Sequence, residues 1–126
     1  MASNANQADE LDVLIVDDEV DIALDLAEWL TRKGLSVQTA NDGQAALRVL
    51  GHVSPRFVIT DLRMPGMSGF DLVAEIRAQK GGEAPAFIVL SGHGAVFDAD
   101  RAAALDAFAV LEKPVNLRNL LAMLTN

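Results

Sequence analysis

The sequence predicts an α/β protein, a doubly wound five-stranded parallel sheet built as (βα)5. Two observations predict it. Short apolar runs alternate with longer amphipathic segments: residues 13–16, 36–40, 57–60, 86–90 and 108–111 read as strands, and 19–33, 43–50, 69–79, 95–105 and 117–124 as helices. The run Phe57-Val58-Ile59-Thr60 is apolar at both parities, as a strand covered by helices on both faces must be, whereas a half-solvated antiparallel strand alternates.

Taken in order, residues 1–10 are small and polar without a period and read as a flexible leader, which leaves 11–126 as one domain. In the first helix Ile22, Leu26 and Leu30, with Ala23, recur at helical spacing, while Asp21, Asp25, Glu28 and Arg32 fall largely on the other side. Gly34 stops that helix. Ala102, Ala103 and Ala104 favour helix in the fourth helical segment but offer little to bury, so residues 95–105 are expected to dock loosely. There is no internal repeat beyond the βα alternation.

Composition narrows the function. The 126 residues are 51% hydrophobic, enough for a real core. A net charge of −8 argues against a phosphate-backbone footprint and hence against direct nucleic-acid binding. No run is long enough to span a bilayer and no secretion signal opens the chain, so a soluble cytoplasmic protein without membrane partners is expected. There is no cysteine, and so neither a disulfide framework nor thiol chemistry.

Ligands of open α/β sheets sit beyond the carboxyl ends of the strands. The residues that close the apolar runs are Asp17 and Asp18, Asp61, Ser91 and Lys113. If the first, third, fourth and fifth strands are neighbours, three carboxylates, a hydroxyl and an ammonium converge on one edge. Carboxylates crowded in this way raise one another's pKa unless a cation compensates. Oxygen ligands without nearby His or Cys favour a hard ion, and Mg2+ suits few protein ligands plus a phosphoryl oxygen.

The segments LIVDDE, TDLRMPGMSGFDL, VLSG and LEKP, in this order and at these separations, resemble the signature regions of the response-regulator receiver family of bacterial two-component signalling. Residues 40–47 resemble the family's turn into its second helix, and the likeness covers about residues 11–125. The resemblance implies the flavodoxin-like strand order 2-1-3-4-5 and a switch that takes a phosphoryl group from a histidine kinase or phosphotransfer protein. By the same resemblance Asp61 is the phosphoacceptor, and Lys113 bridges it at rest and a phosphoryl oxygen afterwards. Asp18, Asp61 and the backbone carbonyl of Arg63 hold Mg2+, with Asp17 acting through a metal-bound water or as a shared ligand. Ser91 turns its hydroxyl to the phosphoryl group, and the Lys113–Pro114 bond is cis.

The resemblance further places Arg63 and His93 at the variable positions expected to tune the phosphoryl lifetime, Arg63 by shielding the acyl phosphate from water and His93 by hydrogen-bonding it or by orienting that water. By family analogy the phosphodonor is expected to dock beside the first helix near Asp21, Ile22 and Asp25, although Ile22 also fits the core stripe. The expected output is a shift of residues 94–105, read by a partner on the face of the fourth helix, fifth strand and fifth helix.

One departure stands out: Val110 occupies the position where most receivers carry a switch aromatic, and Phe108, on the same strand face, replaces it only in part. Two rival readings explain less. Gly92-His93-Gly94 with Glu112 is a partial dinucleotide fingerprint that leaves the carboxylates unexplained, and Asp61-Leu62-Arg63 lacks the second acid of a phosphoaspartate hydrolase. A receiver reduced to a binding module would have lost an acid, the lysine or the hydroxyl, and all are present.

Overall fold

The computed structural model describes residues 10–92 and 104–125. Along the chain run β1 (Glu10–Val16), α1 (Val20–Arg32), β2 (Val37–Ala40), α2 (Gly43–Leu50), β3 (Ser54–Asp61), α3 (Gly69–Lys80), a 3-10 turn (Gly81–Glu83), β4 (Ala86–Ser91), β5 (Ala109–Glu112) and α4 (Leu117–Thr125). The strands form one parallel sheet in the order β2-β1-β3-β4-β5, so the expected architecture holds. The helix expected at 95–105 lies outside the described residues apart from its last positions, Ala104 and Leu105.

The parity of the strands builds two cores. Val13, Ile15, Phe57, Ile59, Ile88 and Leu90 pack with Ala23 and Leu30 of α1 and Leu120 and Leu124 of α4. On the other face Leu14, Val16, Val58, Phe87 and Val89 meet Ala46 and Leu50 of α2 and Phe70, Leu72, Val73 and Ile76 of α3. The two-parity reading of β3 is thereby explained.

Several boundaries move. β1 opens at Glu10, which was expected to close the leader: Glu10 pairs with Ser54 and Leu11 with Pro55, and backbone pairing needs no apolar side chain; residues 1–9 lie outside the described residues. β5 runs one residue later than its apolar run, with Ala109 beside Ile88 and Glu112 beside Ser91, which leaves Phe108 outside the strand. Gly34 does end α1, at φ +95. Ile22 is 50% exposed, so α1 buries Ala23 and Leu30 and presents Ile22 to solvent; of the two readings of Ile22, the core one is not realised.

Helix α3 starts on a capping box: the Ser68 hydroxyl accepts from the Asp71 N–H and the Asp71 carboxylate from the Ser68 N–H. Gly69, its first residue, lies against the end of β3, donating its N–H to the Leu62 carbonyl at 2.9 Å. No helix among the described residues is long and apolar enough to cross a membrane.

Candidate functional site

Register and parity assemble the site. Val16 lies opposite Thr60, Asp61 opposite Leu90 and Ser91 opposite Glu112, so Asp17, Asp61, Ser91 and Lys113 meet at the carboxyl edge of four adjacent strands. Asp17, Asp61 and Lys113 continue the parity that faces α1 and α4, which sends their side chains to one side. Ser91 continues the other parity.

Lys113 donates to Asp61 Oδ2 at 2.8 Å and stands 3.7 Å from Asp17 Oδ2. Its own backbone N–H donates to the Ser91 carbonyl at 2.9 Å, and the Lys113–Pro114 peptide is cis, as expected. Asp17 and Asp61 are only 3% and 7% exposed. Asp17 Oδ1 accepts from the Glu19 N–H at 2.9 Å, while Asp61 Oδ1 lies 3.4 Å from the Arg63 N–H.

The charges are not balanced. Burial holds the Asp17 carboxyl above its ordinary value; the Glu19 N–H and Lys113 oppose this, and Asp61 and Asp18 reinforce it. Burial pulls the Lys113 ammonium down, but its hydrogen bond to Asp61 and the charges of Asp61, Asp17 and Glu19 outweigh that, and its pKa is raised. Burial and two neighbouring carboxylates thus oppose ionisation of Asp17, and a further positive charge at this edge would favour it. Oxygen donors from Asp17, Glu19 and Asp61 come within 4.8 Å of one another, and this donor set fits a hard divalent ion.

Glu19 was legible in the sequence only as the residue that opens a helix; its parity with Asp17 was the signal that places it here. Asp18 is exposed beside the cluster. Ser91 is buried, and its hydroxyl makes a long 3.4 Å contact with the Gly92 carbonyl. Arg63 is exposed in the turn after Asp61, where Gly66 adopts φ +77, and Met64 is buried beneath that turn. His93 lies outside the described residues.

The switch position behaves as its side chain dictates. Val110 is 40% exposed, and Phe108 packs edge-on against Phe57, with ring centroids 5.6 Å apart. Phe57 is four residues before Asp61 on the same strand, roughly 13 Å away at strand rise, so Phe108 sits too far from Ser91 to stand in for the missing aromatic.

Beside the acids opens a groove of about 660 Å³, lined by Ile22, Leu26 and Trp29 of α1, Val115 and Leu117 after Lys113, and Asp17 and Glu19.

A family model for the response regulator receiver domain matches residues 13–125. The probable chemotaxis protein CheY of Rhizobium etli is 34% identical over 116 residues, covering 91% of this chain and 90% of that protein. The transcriptional regulatory protein GlrR of Escherichia coli (strain K12) is 41% identical over 104 residues, 82% of this chain but 23% of the relative, so the chain spans under a quarter of that regulator's length. A response regulator receiver protein from Pseudomonas putida superimposes with a TM-score of 0.82 at 34% identity, covering 90% of this chain and 94% of the other. Receiver domains act generally as phosphoacceptor switches and bind Mg2+ at an acidic pocket. With its sheet order, its strand-end acids and these matches, the chain belongs to the response-regulator receiver family.

Proposed function

We propose that Asp61 accepts a phosphoryl group from a histidine kinase or phosphotransfer protein in the presence of Mg2+, and that the product switches an output surface. The observation that carries this reading is the 2.8 Å contact of Lys113 Nζ with a nearly buried Asp61 carboxylate at a strand end, beside a second buried acid, Asp17.

A carboxylate is a poor nucleophile toward an anionic phosphorus centre, so positioning and neutralisation supply most of the rate. Asp61 Oδ attacks phosphorus as the bond to the donor nitrogen breaks, giving an acyl phosphate. Lys113 then moves from the carboxylate to a phosphoryl oxygen. Asp18, Asp61 and the Arg63 carbonyl, with Asp17 through a water or as a shared ligand, would hold Mg2+, which would supply the remaining charge neutralisation. The chain assists its own modification and its own hydrolysis. Arg63, exposed next to the acceptor, shields the acyl phosphate from an attacking water, and His93 hydrogen-bonds it or orients that water.

The weak contact of the Ser91 hydroxyl with the Gly92 carbonyl is readily exchanged for a phosphoryl oxygen, drawing the following loop inward and shifting residues 94–105. The far end of that segment is tied to α3, where Arg77 donates to the carbonyls of Leu105 and Asp106. Exposed Phe108 and Val110 offer an output partner an apolar contact beside β5. Exposed Ile22 and Asp25 line the groove together with Asp17 and Lys113, and Asp21 is exposed next to them on α1, which suits a phosphodonor helix.

Titration with Mg2+ and beryllofluoride tests the reading. The two together raise the melting temperature of the wild-type protein by mass action and leave Asp61→Asn unmoved. Equal stabilisation of both proteins would refute it.

A further inference from the structure

Glu19 is the one acid of the site to which the reading above gives no task. Its carboxylate oxygen lies within 4.8 Å of oxygens of Asp17 and Asp61. It is exposed at the N-cap position of α1, yet its side chain makes no capping hydrogen bond, and among the described residues it has no ion pair. Its charge reaches the site, helping to keep the Lys113 ammonium protonated. It also lines the groove together with Asp17 and Lys113. Lys113 and a divalent cation carry three positive charges against the four acids Asp17, Asp18, Glu19 and Asp61, so whichever acids hold the ion, Glu19 adds one negative charge in excess beside the reacting atoms.

We propose that Glu19 sets donor specificity: its uncompensated charge disfavours dianionic donors that expel an anion and leaves the advantage to donors whose leaving group is a neutral nitrogen base. The inference rests on Asp61 being the acceptor. With acetyl phosphate, Asp61 Oδ bonds to phosphorus, the phosphorus–oxygen bond to the acetyl group breaks, and acetate leaves with the electron pair. With phosphoramidate the phosphorus–nitrogen bond breaks and the already protonated nitrogen leaves as neutral ammonia. The two donors differ by one unit of charge on approach. At a separation of roughly 6 Å in aqueous surroundings, one unit charge acting on another changes a rate about threefold, and salt reduces the effect.

The experiment measures Asp61 phosphorylation rates at saturating Mg2+ with both donors, for wild type, Glu19→Gln, Glu19→Lys and Glu75→Gln. Glu75 is an exposed acid on α3 that controls for net charge. The ratio of the acetyl phosphate rate to the phosphoramidate rate cancels differences in folding and metal occupancy. It is expected to rise about threefold in Glu19→Gln and about tenfold in Glu19→Lys, to shrink at high salt, and to stay put in Glu75→Gln. An unchanged or lowered ratio in the Glu19 variants, or an equal rise in Glu75→Gln, overturns the proposal while leaving Asp61 the acceptor. Labelling of Asp61→Asn at the wild-type rate overturns the underlying reading instead.

Discussion

Replacing Gly69 by alanine strikes the phosphoacceptor from behind. A Cβ at this position would lie 2.3 Å from the Asp61 carbonyl oxygen and 2.8 Å from Leu62 Cα, both backbone atoms that cannot rotate aside. Ordinary carbon contacts start near 3.5 Å, so either α3 retreats by roughly 1 Å or the end of β3 does. The helix cannot retreat freely, since Phe70, Leu72, Val73 and Ile76 are buried behind it and the Ser68–Asp71 box fixes its first turn. Overpacking of this kind costs about 1–3 kcal/mol, and a displacement of about 1 Å at a reacting group costs on the order of 100-fold in rate. Urea unfolding and acetyl phosphate labelling of Gly69→Ala read the two parts. Gly66→Ala is the control, because it strains a residue at φ +77 with nothing within 4 Å of the new Cβ. It should lose stability through backbone strain without displacing Asp61. A Gly69→Ala protein with wild-type stability and wild-type labelling would show that the close approach does not position the acceptor.

Four further outcomes follow from the site and its groove. Lys113→Met removes the ammonium from Asp61 and Asp17 and should slow acetyl phosphate labelling by about 100-fold or more, while Mg2+ binding, followed by calorimetry, is kept or tightened. In metal-free protein, burial holds Asp17 above its ordinary value, so its ionised form costs stability at neutral pH and that cost is relieved as pH falls through the raised value. Wild type should therefore gain stability relative to Asp17→Asn on mild acidification in EDTA; a pH-independent difference between the two would contradict this. The contribution of Lys113, whose pKa is also raised, is fully present below its ordinary value of 10.5 and lost as pH rises through the raised one. Ile22→Ala, a surface truncation, should change stability by no more than about 0.5 kcal/mol and leave acetyl phosphate labelling intact, while slowing transfer from a protein donor.

The sheet was legible because its strands announce themselves: β3 is apolar at both parities, and the apolar runs end on polar or charged residues. The order of those residues at the sheet edge followed from the family resemblance, and the register then brought Asp17, Asp61 and Lys113 together. Three features escaped the pattern. Glu19 looked like a helix opener because helix starts favour acids, and only its parity with Asp17 ties it to the site. The exposure of Ile22 depends on how far α1 is rotated over the sheet, which Ala23 and Leu30 decide by burying their own side chains. The distance of Phe108 from Ser91 depends on a one-residue shift of β5, which backbone pairing with β4 sets and apolar composition does not.

Incubation with acetyl phosphate and Mg2+, followed by borohydride reduction and peptide mass spectrometry, tests the central claim most directly. Wild-type protein should gain the mass of a single phosphoryl group, and reduction should convert residue 61 to homoserine, with neither change in Asp61→Asn. Phosphorylation of Asp61→Asn to the wild-type extent, or reduction mapping to any other acid, would contradict Asp61 as the acceptor.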